Sequence, residues 1–149
     1  MSLIVQKFGG SSVKDAAHIK NVAGIIADTY LKGNDVMVVL SAQGDTTDDL
    51  IEKAQEINPN PSKREMDMLL STGEQISVSL CCMALQSMGL PCVSLNAWQV
   101  GIHTSNVHSD ARIKKIDTER VKAELDQHRI VIVTGFQGIN RGGDITTLG

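Results

Sequence analysis

Leu3-Ile4-Val5-Gln6-Lys7-Phe8-Gly9-Gly10-Ser11-Ser12-Val13 begins as a short apolar run and passes through a lysine and two glycines into hydroxyl residues. Leu3-Ile4-Val5 predicts a strand. Ser12 and Asp15 have the spacing of a capping box, so a helix is expected to open directly after the glycines. A fixed cation, bare backbone and the free N–H groups of a helix start are the parts a phosphate site needs. The order of residues is not that of a P-loop, whose lysine follows its glycines, and Gly-x-Gly-x-x-Gly is also missing. A nucleotide is therefore the expected ligand, and a dinucleotide is not.

Further along, Ile19, Val22, Ala23, Ile26 and Tyr30 recur at helical intervals up to Gly33. Val36-Met37-Val38-Val39-Leu40 is apolar without alternation, as in a strand covered on both faces. Thr46 to Ile57 predicts a helix closed by Asn58-Pro59-Asn60-Pro61. Ser62 with Glu65 then starts a long helical stretch to Met88, stopped by Gly89-Leu90-Pro91, with Gly73 as a candidate kink or break. Cys92-Val93-Ser94-Leu95 and Ile130-Val131-Ile132-Val133-Thr134 predict two more strands, and Thr118 to His128 a helix. Between Asn96 and Asp117 the pattern is irregular, with short strands expected near Val100-Gly101-Ile102 and Arg112-Ile113.

Strands alternating with helices argue for an α/β chain: a three-layer αβα sandwich around a mostly parallel sheet. Ligands of such sheets collect at the carboxyl ends of the strands. Those ends here carry Lys7-Phe8-Gly9-Gly10, Ser41-Ala42-Gln43-Gly44 and Thr134-Gly135-Phe136-Gln137-Gly138. All three are rich in glycine and small polar residues, which predicts one shared cleft.

Composition narrows the classes. At 149 residues the chain fits one domain or half of a larger one, and with aromatics at only 3% the core must be aliphatic. The net charge of −3 comes without a basic block, so nucleic acid is not an expected partner. No apolar run approaches the roughly 20 residues of a membrane helix, and no signal peptide opens the chain. Cys81, Cys82 and Cys92 are odd in number and lack metal-ligand spacing, which points to reduced thiols and a cytoplasmic location. His18, His103, His108 and His128 are too scattered for a zinc site.

Several residues carry a chemical and a plain reading side by side. Lys7 suits charge developing on a transferring phosphoryl group, or it closes an edge strand; the Gly-Gly-Ser-Ser that follows favours the first. Ser41, Gly44, Thr46 and Thr47 form a polar turn that can hold an anion while Thr46 caps a helix with Asp49. Glu74 can meet an ammonium group, but its spacing from Ser71 favours a cap that restarts the helix after Gly73. Gly135-Phe136-Gln137-Gly138 presents N–H groups to an anion or makes a tight turn. Trp98, the methionines and the cysteines read as packing.

Taken together, these segments resemble the catalytic domain of aspartokinases, in the amino-acid kinase family. Lys7-Phe8-Gly9-Gly10-Ser11-Ser12-Val13 is similar to the opening lysine-glycine motif, and Val39 to Asp48 to the substrate loop. Arg64-Glu65-Met66-Asp67-Met68-Leu69-Leu70-Ser71-Thr72-Gly73-Glu74 and Gly135-Phe136-Gln137-Gly138 follow in family order. The resemblance implies transfer of the ATP γ-phosphate to the side-chain carboxylate of L-aspartate, the first step towards lysine, threonine and methionine. It implies Lys7 as the catalytic cation and Lys7, Phe8, Gly9, Gly10, Ser11 and Ser41 around the nucleotide. Ser41, Asp45, Thr46, Thr47, Asp48 and Glu74 would surround the substrate, with Glu74 on its α-ammonium. Mg²⁺ would arrive with ATP.

The family's Arg-Gly-Gly-Ser-Asp motif follows Thr-Thr-Leu-Gly, where this sequence reaches Thr146-Thr147-Leu148-Gly149. Arg141-Gly142-Gly143-Asp144 lies upstream of that point and reads as a hairpin turn. Residues 1–149 are thus expected to be the N-terminal, substrate-side half of the domain, lacking the nucleotide-binding C-terminal half and regulatory domains. Such a half is expected to be inactive alone and to exist as a homo-oligomer or self-associating half-domain. A kinase of the same fold for another acceptor, or a non-catalytic binding or oligomerisation module, are the alternative readings.

Overall fold

Every side chain of Ile130-Val131-Ile132-Val133-Thr134 is buried, and the main sheet is arranged around this strand. A computed structural model describes residues 2–149. Its elements run β1 (Leu3–Phe8), a 3₁₀ turn (Gly10–Val13), α1 (Ala16–Leu31), β2 (Asp35–Leu40), α2 (Thr46–Ile57) and α3 (Lys63–Ser87). Then come β3 (Cys92–Leu95), α4 (Ala97–Val100), β4 (Ile102–Thr104), β5 (Ile113–Ile116), α5 (Glu119–Asp126), β6 (Ile130–Thr134), β7 (Gln137–Ile139) and β8 (Ile145–Thr147).

The first sheet has the order β1-β2-β6-β3 and is parallel throughout. Successive residues of β6 face opposite layers. Ile130 and Ile132 join α1, β2 and α3 in one apolar cluster, while Val131 and Val133 join α4 and α5 residues in another. This is the expected three-layer arrangement. β1 lies at one edge, where Leu3 and Val5 remain more than half exposed.

Of a second, mixed sheet of order β5-β4-β7-β8, the sequence indicated only the short strands near Ile102 and Ile113, which are β4 and β5. Its strands are three or four residues long, too short to establish a period of two. Within the stretch read as irregular, Asn96 and Gln99 form a capping box around the short helix α4, and Val100-Gly101 ends that helix where a strand was expected. Arg141-Gly142-Gly143-Asp144 does form the β7–β8 hairpin turn: Asn140 Oδ1 accepts from the N–H groups of Gly142 and Asp144, both at 3.0 Å.

Four local expectations are corrected. Asp15, not Ser12, caps α1, its carboxylate accepting from the His18 N–H at 2.8 Å; Ser12 is spent inside the 3₁₀ turn. Asp45 holds the cap position of α2 without a side-chain hydrogen bond, so Thr46 caps nothing. Trp98, Met68, Met83 and Met88 are 43–60% exposed and are not core residues, although Cys81 and Cys82 are. Lastly, α3 runs unbroken through Gly73 for 25 residues. The glycine is there for space: a Cβ would lie 3.0 Å from the Ala42 Cβ and 3.3 Å from the Thr46 Cγ2, so its absence lets the β2–α2 loop close onto the helix.

By length and composition α3 could cross a membrane, which the sequence reading had excluded. It is the core helix instead. Half of its apolar window is buried against the protein, and its inward face carries Asp67, Ser71, Glu74 and Ser77.

Asp67 joins three segments. It is fully buried, and its carboxylate lies 2.8 Å from His108 Nδ1. It accepts from the Ser109 N–H and hydroxyl at 3.0 and 3.1 Å, and from the Thr147 N–H and hydroxyl at 3.1 and 2.7 Å. Removing this buried acceptor leaves the buried Thr147 donors dry. Asp67→Ala is expected to lower stability by about 3–5 kcal/mol, measurable as a reduced urea midpoint. A loss below 1 kcal/mol would mean that water replaces the carboxylate.

Candidate functional site

The carboxyl ends of β1, β2 and β6 meet beside the middle of α3. They enclose a cavity of about 320 Å³ lined by Lys7, Ser41, Ala42, Thr47, Leu70, Glu74, Gly135 and Phe136. This is the cleft the three strand ends predicted. The parallel register that pairs Lys7 with Val39 brings the first two ends level, and Ser41 N–H donates to the Phe8 carbonyl at 3.2 Å. Ser77 on α3 fixes the second loop from below, its hydroxyl donating to the Ser41 carbonyl at 2.7 Å.

Of the residues singled out in the sequence, the cavity brings together Lys7, Ser41, Thr47 and Glu74. Phe8, Gly9, Gly10, Ser11, Asp45, Thr46 and Asp48 do not line it. Phe8 packs on the apolar core. A Cβ on Gly10 would lie 2.7 Å from the Ala42 carbonyl oxygen, and Gly10 accepts from the Gly44 N–H at 2.8 Å, so this glycine serves contact between the two loops. Gly9 borders open space and Ser11 is exposed, leaving that end of the cleft accessible. Asp45 and Asp48 are exposed on the first turn of α2, and the Thr46 methyl faces Gly73.

Glu74 is the chemically distinctive group. It lies in the middle of an unbroken helix, so it restarts nothing and the capping reading of Ser71 and Glu74 is overturned. Its side chain is 1% exposed. One oxygen, Oε2, accepts from the Gly135 N–H at 2.7 Å, while the other, Oε1, is buried without a partner. Burial pushes its pKa up to about 7, against the opposing pull of the Gly135 N–H. A buried carboxylate with an unpartnered oxygen, on a residue that lines a cavity, suits a ligand that donates hydrogen bonds and carries positive charge.

Lys7 is exposed and forms none of the ion pairs found among the described residues. The cavity therefore offers one acidic group, one basic group and the hydroxyls of Ser41 and Thr47. That set matches a small zwitterion. No cluster of three or more His, Cys, Asp or Glu side chains able to hold a metal occurs among the described residues.

Sequence reasoning missed the supports of this site. Gln137 is buried; its Nε2 donates to the Ser71 carbonyl at 2.9 Å and its Oε1 accepts from the Ala97 N–H at 3.1 Å. Leu148 N–H donates to the Phe136 carbonyl at 2.9 Å, tying the cavity wall to the end of β8. A usable signal existed. Asp67, Ser71, Glu74 and Ser77 recur at helical intervals within an apolar stretch, marking a polar face turned inward.

The Glu74 environment gives a signed expectation. A carboxyl whose folded pKa is raised favours the fold below its ordinary value near 4.5, and that contribution is lost as pH rises through about 7. Across this window the wild type should lose on the order of 3 kcal/mol of unfolding free energy, a loss that Glu74→Gln removes. Parallel pH profiles for both proteins in urea titrations would contradict this assignment.

The comparisons with known proteins agree with this fold. The amino acid kinase family profile matches residues 2–149. An aspartokinase of Geobacillus stearothermophilus is 54% identical over 149 residues, covering 100% of this chain and 37% of that protein. The crystal structure of an aspartate kinase from Synechocystis superposes with a TM-score of 0.80 at 45% identity, over 97% of this chain and 24% of that one. E. coli aspartokinase III, solved with aspartate and ADP, gives a TM-score of 0.82 at 22% identity, over 100% of this chain and 44% of that one, and so speaks to the fold alone. The chain thus spans little more than a third of the curated relative it matches. With its fold, its strand-end cleft and its full-length match to the profile, the chain belongs to the amino acid kinase family.

Proposed function

We propose that this chain is the N-terminal, acceptor-side part of an aspartate kinase, holding L-aspartate while its side-chain carboxylate takes the γ-phosphoryl group of ATP. The reaction is the entry to lysine, threonine and methionine, in the cytoplasm. The observation that carries the reading is the buried Glu74 carboxylate, with one oxygen unpartnered, in the same cavity as Lys7. The similarity to aspartokinases at about half identity supports aspartate as the acceptor.

In this reading the α-ammonium group of the substrate sits against Glu74 and supplies the missing donors. A cation there favours the ionised carboxylate, so substrate binding expels a proton from Glu74 near pH 7. Ser41 and Thr47 orient the rest of the amino acid, with Asp45, Thr46 and Asp48 setting the shape of the loop. The acceptor carboxylate is ionised at neutral pH and needs no general base, so positioning carries much of the catalysis. Lys7 stabilises charge on the transferring phosphoryl group. Gly9 and Ser11, on the open side of the cleft, are suited to face the phosphates, and Gly10 holds that loop in place. ATP would supply the phosphoryl group together with its own Mg²⁺. Turnover requires the remainder of a longer kinase, in keeping with the share of the relatives that the chain covers.

Calorimetric titration tests this. L-Aspartate should bind this chain more tightly than L-glutamate, with affinity rising about tenfold per pH unit below pH 7 and levelling above it. Glu74→Gln should abolish both the binding and its pH dependence. Equal affinity for the two amino acids, or binding that survives the substitution, would refute the placement of aspartate on Glu74.

A further inference from the structure

The outward side of α3 carries an apolar stripe that nothing in the chain covers. From Gln75 to Met88 there is no charged residue, and Ile76, Leu80 and Met83 in this stretch are 47%, 38% and 60% exposed. A surface helix ordinarily turns charged and polar residues to solvent, whereas one that is apolar on both sides is covered on both sides. The spacing is that of a helix-packing seam. Leu69, Ile76 and Met83 recur every seven residues, with the small Thr72 and Ser79 between them.

Two helices flank this seam, both on the same side. α2 meets it at Gly73, through Thr46 and Leu50. α1 meets it further along, where Ala16, Ile19 and Lys20 face Leu80, Met83 and Ala84 across an apolar groove of about 290 Å³. Gly73, Leu80 and Ala84 follow at steps of seven and four residues, which keeps them on one side of the helix. The flanking helices differ in charge. α2 carries Asp48, Asp49, Glu52 and Glu56 against a single Lys53, while Lys20 lines the groove beside α1.

We propose that the outward face of α3 docks a second copy of this chain, the two helices running antiparallel about a two-fold axis at Ile76. That axis sets Ile76 on Ile76 and, because the steps are equal, Leu69 on Met83 in both directions. The seam is thus complementary to itself, as a two-fold contact requires. Leu69 of the second copy comes to the mouth of the groove between α1 and α3. The same operation keeps the flanking helices on one side and reverses their order, so Lys20 of each copy lies over the acidic α2 of the other. Glu65, the charge at the start of the stripe, falls opposite Ser87 and not opposite itself. From Leu69 to Ser87 the seam is about 27 Å long, and two helices make it about 20–24 Å wide. Those dimensions come close to a contact burying roughly 800 Å² per partner. The face lies on the other side of α3 from Glu74, so the contact does not depend on the kinase reading.

Sedimentation equilibrium of this chain tests the contact. The wild type should show a monomer–dimer equilibrium. Ile76→Glu should raise its dissociation constant at least about a hundredfold, because it buries two facing charges, and should leave the circular dichroism unchanged. Lys20→Glu should weaken the dimer at low salt and much less at high salt. Val5→Glu, on the exposed edge of β1, should leave the dimer intact. Cross-linking reads the register. A short bismaleimide should join Ile76→Cys to its own copy, but not the wild type and not Met88→Cys, whose two copies stand about 36 Å apart along the pair. A chain monomeric at every concentration, a dimer that survives Ile76→Glu or is lost in Val5→Glu, or equal cross-linking at 76 and 88 would each overturn the proposal. So would a monomer that sediments with phosphatidylcholine vesicles, which would assign the face to lipid. The cross-linking pattern decides the question even if Ile76→Glu fails to fold.

Discussion

The polar face of α3 is the constraint on which the rest of the molecule depends. Asp67, Ser71, Glu74 and Ser77 lie along one side of the helix and are at most 1% exposed. Buried polar groups have to be hydrogen-bonded, so each one captures a different segment. Asp67 takes the Ser109 loop and β8, the Ser71 carbonyl takes Gln137, Glu74 takes Gly135, and Ser77 takes the Ser41 carbonyl. Loops from distant parts of the chain are thereby indexed to one rigid rod. Gly73 completes the arrangement by letting the β2–α2 loop press onto that rod.

Two carboxylates on this face illustrate how structure and function part company. Asp67 has its oxygens filled by five neighbouring donor atoms and acts as a joint. Glu74, two turns further on, receives the Gly135 N–H on one oxygen and leaves the other dry. An incompletely satisfied buried acid costs stability, and such local costs gather at functional sites. Glu74 itself sits on the long helix, which places the open oxygen on a rigid frame.

The same division runs between the two ends of the main sheet. Its carboxyl ends gather small polar residues around a cavity, as parallel topology favours. Its opposite end is closed by short turns and carries the thiols of Cys82 and Cys92. The two regions share α3, yet they use it differently: through buried hydrogen bonds at one end and through a helix stop at the other.

The sequence by itself determined the layers and the ends of the main strands. Apolar runs such as Val36–Leu40 and Ile130–Thr134 are local signals, and parallel strands buried on both faces leave little choice of architecture. It also located the cleft, because glycine and hydroxyl residues follow three of those strands. The choice between the two readings of Glu74 belonged to the tertiary structure: an i, i+3 spacing from Ser71 is common to a cap and to a continuous helix, and only packing of Gly73 on Ala42 separates them. The mixed second sheet, the exposure of Trp98 and the joint at Asp67 were likewise set by contacts between residues far apart in sequence. Such contacts leave no periodic trace. They arise when buried donors and acceptors on separate segments have only one another with which to pair.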